Sequence, residues 1–303
     1  MSHMPVQSPA PAFAVACLGI LLFSAMDAVM KHLSIALGAY NALLWRTCVG
    51  VVLMAPLYLR QARGLPDRRT LILHLARSLT AALSVLLFFW GLVRTPLAQG
   101  IALTFIAPLI ALGLAGLFLK EKIGRRAIGG SLAAFAGVLV IVAFQSGAGA
   151  RAGGIEGAVA ILIAAVLYAI NLVIARRQSL AAGPIEVAFY FNLIAAGFFG
   201  SAAPWLAQAP APAHWPMILL ASIVGTSAII LLAWAYARAE AQHLVVVEYT
   251  AFIWAALLGW WVFGEHVSAA TAAGAAMIVA GCLWAARQGP ARKDGPIAPE
   301  PLA

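Results

Sequence analysis

The sequence predicts an all-α polytopic membrane protein, with ten transmembrane helices arranged as two inverted five-helix repeats around a central cavity. Three observations lead there. Hydrophobic residues make up 64% of the chain and charged ones only 10%, a balance far outside the range of soluble domains. Apolar runs of about 20 residues, the length at which a helix crosses the hydrocarbon core, recur along nearly the whole chain. One stretch also occurs twice, as FLKEKIGRRAIGGSLAAFAGVLVI at 118–141 and VFGEHVSAATAAGAAMIVAGCLW at 262–284.

The apolar runs fall at 12–32, 40–59, 70–93, 97–119, 126–144, 154–175, 185–206, 215–237, 243–263 and 268–286. None alternates in polarity with a period of two, which excludes a β-barrel. Residues 1–11 join Met1-Ser2-His3-Met4, which reads as a tag remnant, to a short cytoplasmic tail. The first repeat is expected at 12–144, an outer linker at 145–153 and the second repeat at 154–286. Residues 287–303 form a second cytoplasmic tail, rich in Pro and charge and expected to be disordered. The first run lacks a preceding basic region and carries Asp27 and Lys31, so it reads as a retained helix, not a cleaved signal. Cys17, Cys48 and Cys282 lie far apart inside apolar runs, as packing residues do, and not in a disulfide or metal framework.

A single offset of 144 relates the halves. It pairs Glu121 with Glu265, Gly130 with Gly274, Gly137 with Gly281, Arg94 with Arg238, Trp90 with Trp234, Ser78 with Ser222 and Asp27 with Asn171. Five crossings are an odd number, so the second half enters the membrane inverted, about a pseudo-two-fold axis in the membrane plane. A pocket between two such halves can open to either side, which is the geometry of alternating access.

Orientation follows from the basic residues. Of 19 Lys and Arg, 15 fall at the ends placed inside when the amino terminus is inside, Lys31, Arg94 and Arg151 fall outside, and Arg46 is embedded. Both termini are therefore expected in the cytoplasm. The net charge of +9 is topological; with the charges on short loops flanking apolar helices, nucleic acid is not an expected partner.

Polar groups at membrane depth each require a reason. Ser24, Asp27 and Lys31 share one face of the first helix. Asp27 and Arg46 lie at similar depth, as an ion pair between helices 1 and 2 or as a substrate or proton site. Tyr168 and Asn171 occupy the repeat-related positions of Ser24 and Asp27. Glu248, about one and a half turns into helix 9, either pairs with Arg77 or meets a substrate amine or a coupling proton. His74 reads as an interfacial histidine, and Glu121 and Glu265 as carboxylates that complement helix starts. Trp90, Phe105, Trp234, Tyr249 and Trp254 could stack on a flat apolar ligand, and Ser78 adds a small polar face on helix 3. No metal-ligand cluster, Ser–His–acid set or phosphate loop occurs, so neither catalysis nor a cofactor is expected.

Glu121, Pro108 thirteen residues before it, Gly130 and Gly137, with Glu265, Gly274 and Gly281 in the second half, resemble the drug/metabolite transporter superfamily. The specific resemblance is to bacterial exporters built from two EamA-type repeats, over residues 13–288; Phe252 stands where a second-half Pro is usual. Glu248-Tyr249-Thr250-Ala251-Phe252-Ile253-Trp254 is similar to helix 9 of YddG-type aromatic amino acid exporters. The resemblance implies an inner-membrane exporter of small metabolites, with aromatic or apolar amino acids as cargo. Helices 1, 3, 4, 6, 8 and 9 would line the cavity, with 5 and 10 peripheral. The expected partners are an amino-acid substrate and the lipid bilayer, and a monomer suffices. Cationic drug-like cargo, or an intramembrane enzyme or scaffold, are the alternatives.

Overall fold

The computed structural model describes residues 9–61, 64–107, 110, 125–145, 153–236 and 250–286. Among them all regular structure is helical: α1 Pro9–Leu37, α2 Ala39–Gln61, α3 Arg68–Leu92, α4 Leu97–Thr104, α5 Arg125–Gln145, α6 Gly154–Ala181, α7 Pro184–Ser201, α8 Trp215–Tyr236, α9 Thr250–Phe263 and α10 Ala269–Ala286. One helical turn, Ala203–Leu206, and a 3₁₀ turn, Pro212–His214, connect α7 to α8. Six helices are long and apolar enough to cross a bilayer. Leu59, Leu65, Leu132, Trp205 and Trp261 are among many large apolar side chains on the outside, 65% exposed or more. Water would penalise such a surface, whereas lipid solvates it. The chain is a polytopic helical membrane protein.

Local sequence sets the corners. Gly38 takes φ +79, a left-handed conformation suited to glycine, and reverses the chain between α1 and α2. Asp67 caps α3, its carboxylate accepting the Thr70 N–H at 3.3 Å; this bond holds its carboxyl below the usual range. The fourth apolar run is not one unbroken helix. Its helical pattern ends at Thr104 and turns through Phe105 and Ile106. Pro108 carries no N–H to continue the ladder to Thr104.

Two ends of the bundle can be named by these corners. α1 reaches the Gly38 end and α2 leaves it. α3 reaches it too, because Lys31 bonds the Thr95 carbonyl just beyond α3. α6 starts there, with Gly157 against Gly91, and runs to the Asp67 end, where Glu186 of α7 meets His74. α7 returns, since Tyr40 donates to the Phe199 carbonyl, and α8 descends from a Trp45–Trp215 edge contact. α1 and α6, α2 and α7, and α3 and α8 therefore run in opposite directions.

Several helix contacts recur in pairs. α1 packs on α8 as α6 does on α3, α1 on α9 as α6 on α4, and α3 on α7 as α8 on α2. α5 and α10 cross each other with Gly137 against the Gly274 carbonyl and Gly281 against the Gly130 carbonyl. A Cβ at Gly137 or Gly281 would approach these carbonyl oxygens to 2.5 Å, so only glycine allows the contact.

Candidate functional site

A cavity of about 220 Å³ lies inside the bundle. α1, α3, α4, α6, α8 and α9 line it, Arg46 of α2 and Phe191 of α7 also reach it, and α5 and α10 contribute nothing. Its walls are aromatic, through Phe23, Phe88, Phe89, Phe105 and Phe191. Its polar groups are Ser24, Asp27, Arg46, Arg77, Ser84, Thr104, Tyr168 and Asn171.

The charged groups face the cavity without pairing. Asp27 and Arg46 make no contact within 4.0 Å, so the ion pair that their shared depth suggested is not formed. The Arg46 side chain is buried, Arg46 being 3% exposed. Its guanidinium takes part in no hydrogen bond, and Nε lacks a partner. The Arg46 backbone is fixed instead, its carbonyl accepting Ser222 Oγ–H at 2.9 Å. Gly225 leaves room for the guanidinium, since a Cβ there would sit 3.1 Å from Nη1.

Arg77 is held differently. Its Nη1 donates to Gln178 Oε1 at 2.7 Å, its Nε is unpartnered, and its carbonyl accepts from Asn171 Nδ2 at 3.0 Å. An arginine has donors only, so the Gln178 oxygen must face it and the Gln178 amide nitrogen must face His74. That nitrogen lies 2.6 Å from His74 Nδ1, which therefore accepts. His74 thus carries its proton on Nε2 and donates it to Glu186 Oε1 at 3.0 Å. The interfacial reading of His74 is corrected: the residue is fully buried and stacked on Tyr190, because α7 covers it. The expected Glu248–Arg77 pair cannot be placed, as Glu248 lies outside the described residues.

The Gly38 end of the bundle is bolted. Lys31, 1% exposed, donates to Glu265 Oε1 and to the Thr95 carbonyl, each at 2.7 Å, and lies 5.0 Å over the Phe263 ring. Glu265 Oε2 accepts the Leu97 N–H at 2.7 Å. Leu97 opens α4, whose preceding Pro96 offers no side-chain cap. Glu265 therefore does cap a helix start, as its sequence position suggested, but that of α4 in the other half and not its own.

The remaining candidates divide. Ser24, Asp27, Phe105, Tyr168 and Asn171 come together on the cavity wall. Ser78 is buried behind it, outside the lining, with Oγ unpartnered. Trp90 is 40% exposed under the Arg94 guanidinium, 3.6 Å from its ring centre, and so stands on the outer surface. Trp234 borders a wider pocket of about 610 Å³ at the Asp67 end, alongside Tyr58 and Glu186. Trp254 packs with Ala16, Ile20 and Ala235 in a satellite cluster. These three tryptophans lie outside the cavity lining. Tyr249 and Glu121, like Glu248, lie outside the described residues. Sequence reasoning missed Gln178, Glu186, Thr104, Phe23 and Phe88; Gln178 follows Arg176 and Arg177, so it reads as part of a solvated basic end.

A family model described as the EamA-like transporter family matches residues 10–143 and again 155–287. The chain belongs to the EamA-like transporter family. As an EamA-like protein it is a membrane transporter of small molecules and not an enzyme. The pseudopaline exporter CntI of Pseudomonas aeruginosa is 28% identical over 276 residues, 90% of this chain and 95% of that one. A riboflavin transporter of Brucella anthropi is 26% identical over 252 residues, 80% of this chain and 86% of that one. A crystal structure 20% identical shares the fold, with a TM-score of 0.61 over 91% of this chain and 96% of its own.

Proposed function

We propose that this EamA-like protein exports small amphoteric metabolites, amino acids with aromatic or apolar bodies foremost, across a bacterial inner membrane by alternating access. The observation that carries this reading is Asp27 and Arg46 facing one cavity at one depth without pairing. A lone buried charge at membrane depth is costly, and two opposite ones held apart suit a zwitterionic head that bridges them, ammonium to Asp27 and carboxylate to Arg46. The aromatic wall suits an apolar body.

Alternating access follows from ten spans in two inverted repeats. The antiparallel courses of α1 and α6, α2 and α7, and α3 and α8, with several helix contacts matched between the halves, support that arrangement. The repeats would span 12–144 and 154–286, the Gly38 end facing outward and both termini facing the cytoplasm, as the basic residues favour. The conformation described is then closed to the outside by Lys31 and Glu265. A purely cationic cargo is the weaker alternative, because two guanidiniums line the cavity.

Counterflow tests the reading. Liposomes containing only the purified protein, loaded with unlabelled amino acids, should take up labelled ones from a panel. Asp27→Asn and Arg46→Gln should each lose most of this exchange while remaining folded. Folded protein that exchanges no zwitterion would refute it.

A further inference from the structure

The cavity holds more positive charge than one amino-acid head can satisfy. Arg46 and Arg77 both line it, and among the described lining residues only Asp27 is acidic. Among the described residues Arg77 meets no carboxylate: its side-chain bond goes to the uncharged Gln178, and its buried Nε has no partner. A guanidinium keeps its charge in proteins and favours a planar two-oxygen acceptor. Left without one at membrane depth, it is a site awaiting an anion.

The two arginines are set apart along the bundle. α2 and α3 meet at the short Asp67 corner, so depth can be counted from it. Arg46 stands about 22 Å up α2 from Gln61 and Arg77 about 13 Å up α3 from Arg68, at 1.5 Å per residue, a separation of about 9 Å. Asp27 lies within about 5 Å of the depth of Arg46 by the same count from the Gly38 corner. Asp27 and Arg46 thus stand nearer the Gly38 end, and Arg77 and Asn171 nearer the Asp67 end, of one cavity with an aromatic wall.

We infer that the preferred cargo is an α-amino acid bearing a second carboxylate at the far end of its body, the head bridging Asp27 and Arg46 and the distal carboxylate docking on Arg77. This rests on the proposed transport reading and adds the class of substrate to it. Gln178, the side-chain partner of Arg77, is uncharged, so the guanidinium charge remains for the incoming carboxylate.

The test is counterflow with a graded series of α-amino dicarboxylates, from aspartate to α-aminosuberate, against monocarboxylic amino acids of matched length. Wild-type protein should prefer the longer dicarboxylates over their monocarboxylic partners. Arg77→Gln should weaken that preference, read as the ratio of dicarboxylate to monocarboxylate exchange, by about 10- to 100-fold, the range for losing a hydrogen bond to a charged group. Arg77→Lys should restore part of it and guards against misfolding of the first variant. Equal exchange of both classes by wild type, or a preference unchanged in Arg77→Gln, overturns the inference while the transport reading stands. Failure to exchange any zwitterion overturns both.

Discussion

Replacing Lys31 with Met removes the ammonium that bonds the buried Glu265 carboxylate at 2.7 Å. In the closed state the Glu265 carboxylate would keep the Leu97 N–H but lose this cation, at 6% side-chain exposure. Stripping one partner from a buried pair costs about 3–5 kcal/mol, because the other charge stays desolvated. Opening the Gly38 end lets water reach Glu265, so the cost falls on the closed state alone. At 1.4 kcal/mol per tenfold, the closed-to-open ratio would shift by up to about 10²–10³. The reporter is a cysteine at Ser24, buried on the cavity wall, in a background free of Cys17, Cys48 and Cys282. Labelling by an impermeant thiol reagent from outside intact cells should rise at least about tenfold in Lys31→Met. Adding Glu265→Gln should reverse most of the rise, since a neutral amide can still accept the Leu97 N–H. Unchanged labelling in Lys31→Met, with the protein folded and inserted, would refute the latch.

Other outcomes follow from the same contacts. Gly137→Leu should lower thermal stability by about 1–3 kcal/mol, the range for overpacking, and leave apparent substrate affinity unchanged, since α5 is remote from the cavity. Gln178→Glu should give Arg77 a carboxylate of its own and so erase any preference for dicarboxylates, as Arg77→Gln does; a retained preference would contradict the assignment of Arg77. Asp67→Ala should lower the melting temperature by removing the α3 cap. Because the folded Asp67 carboxyl is held low, its contribution is full above the ordinary carboxylate range and fades as pH falls through it, so wild type and Asp67→Ala should converge in acid.

Much of the architecture was legible because it is written in composition and period. The apolar runs follow from what a bilayer demands of every residue facing it, and the two matches of the family model, at 10–143 and 155–287, fall on the two segments that the offset relates. The repeat marked Gly137 and Gly281, which prove to be the points where α5 and α10 touch, and the bolting role of Glu265 was half readable, as a carboxylate near a helix start. That it caps α4 across the halves depends on which corner the fold brings to it, and spacing within one helix carries no such information. The same holds at the site. Asp27 and Arg46 announce themselves by charge at depth, but whether they pair depends on side-chain direction across two helices. Gln178 and Glu186 are ordinary helix-end polar residues until α7 folds His74 beneath them. Trp90, Trp234 and Trp254 lie outside the cavity lining, and an aromatic side chain carries no sign in the sequence of which surface it will face.

Trans-stimulated exchange by the purified protein in liposomes tests the central claim most directly, that one cavity serves both sides in turn. Uptake of labelled amphoteric substrate should accelerate when unlabelled substrate is placed on the opposite side, and Arg46→Gln should abolish the acceleration in folded protein. Uptake indifferent to substrate across the membrane, or unchanged in Arg46→Gln, would contradict it.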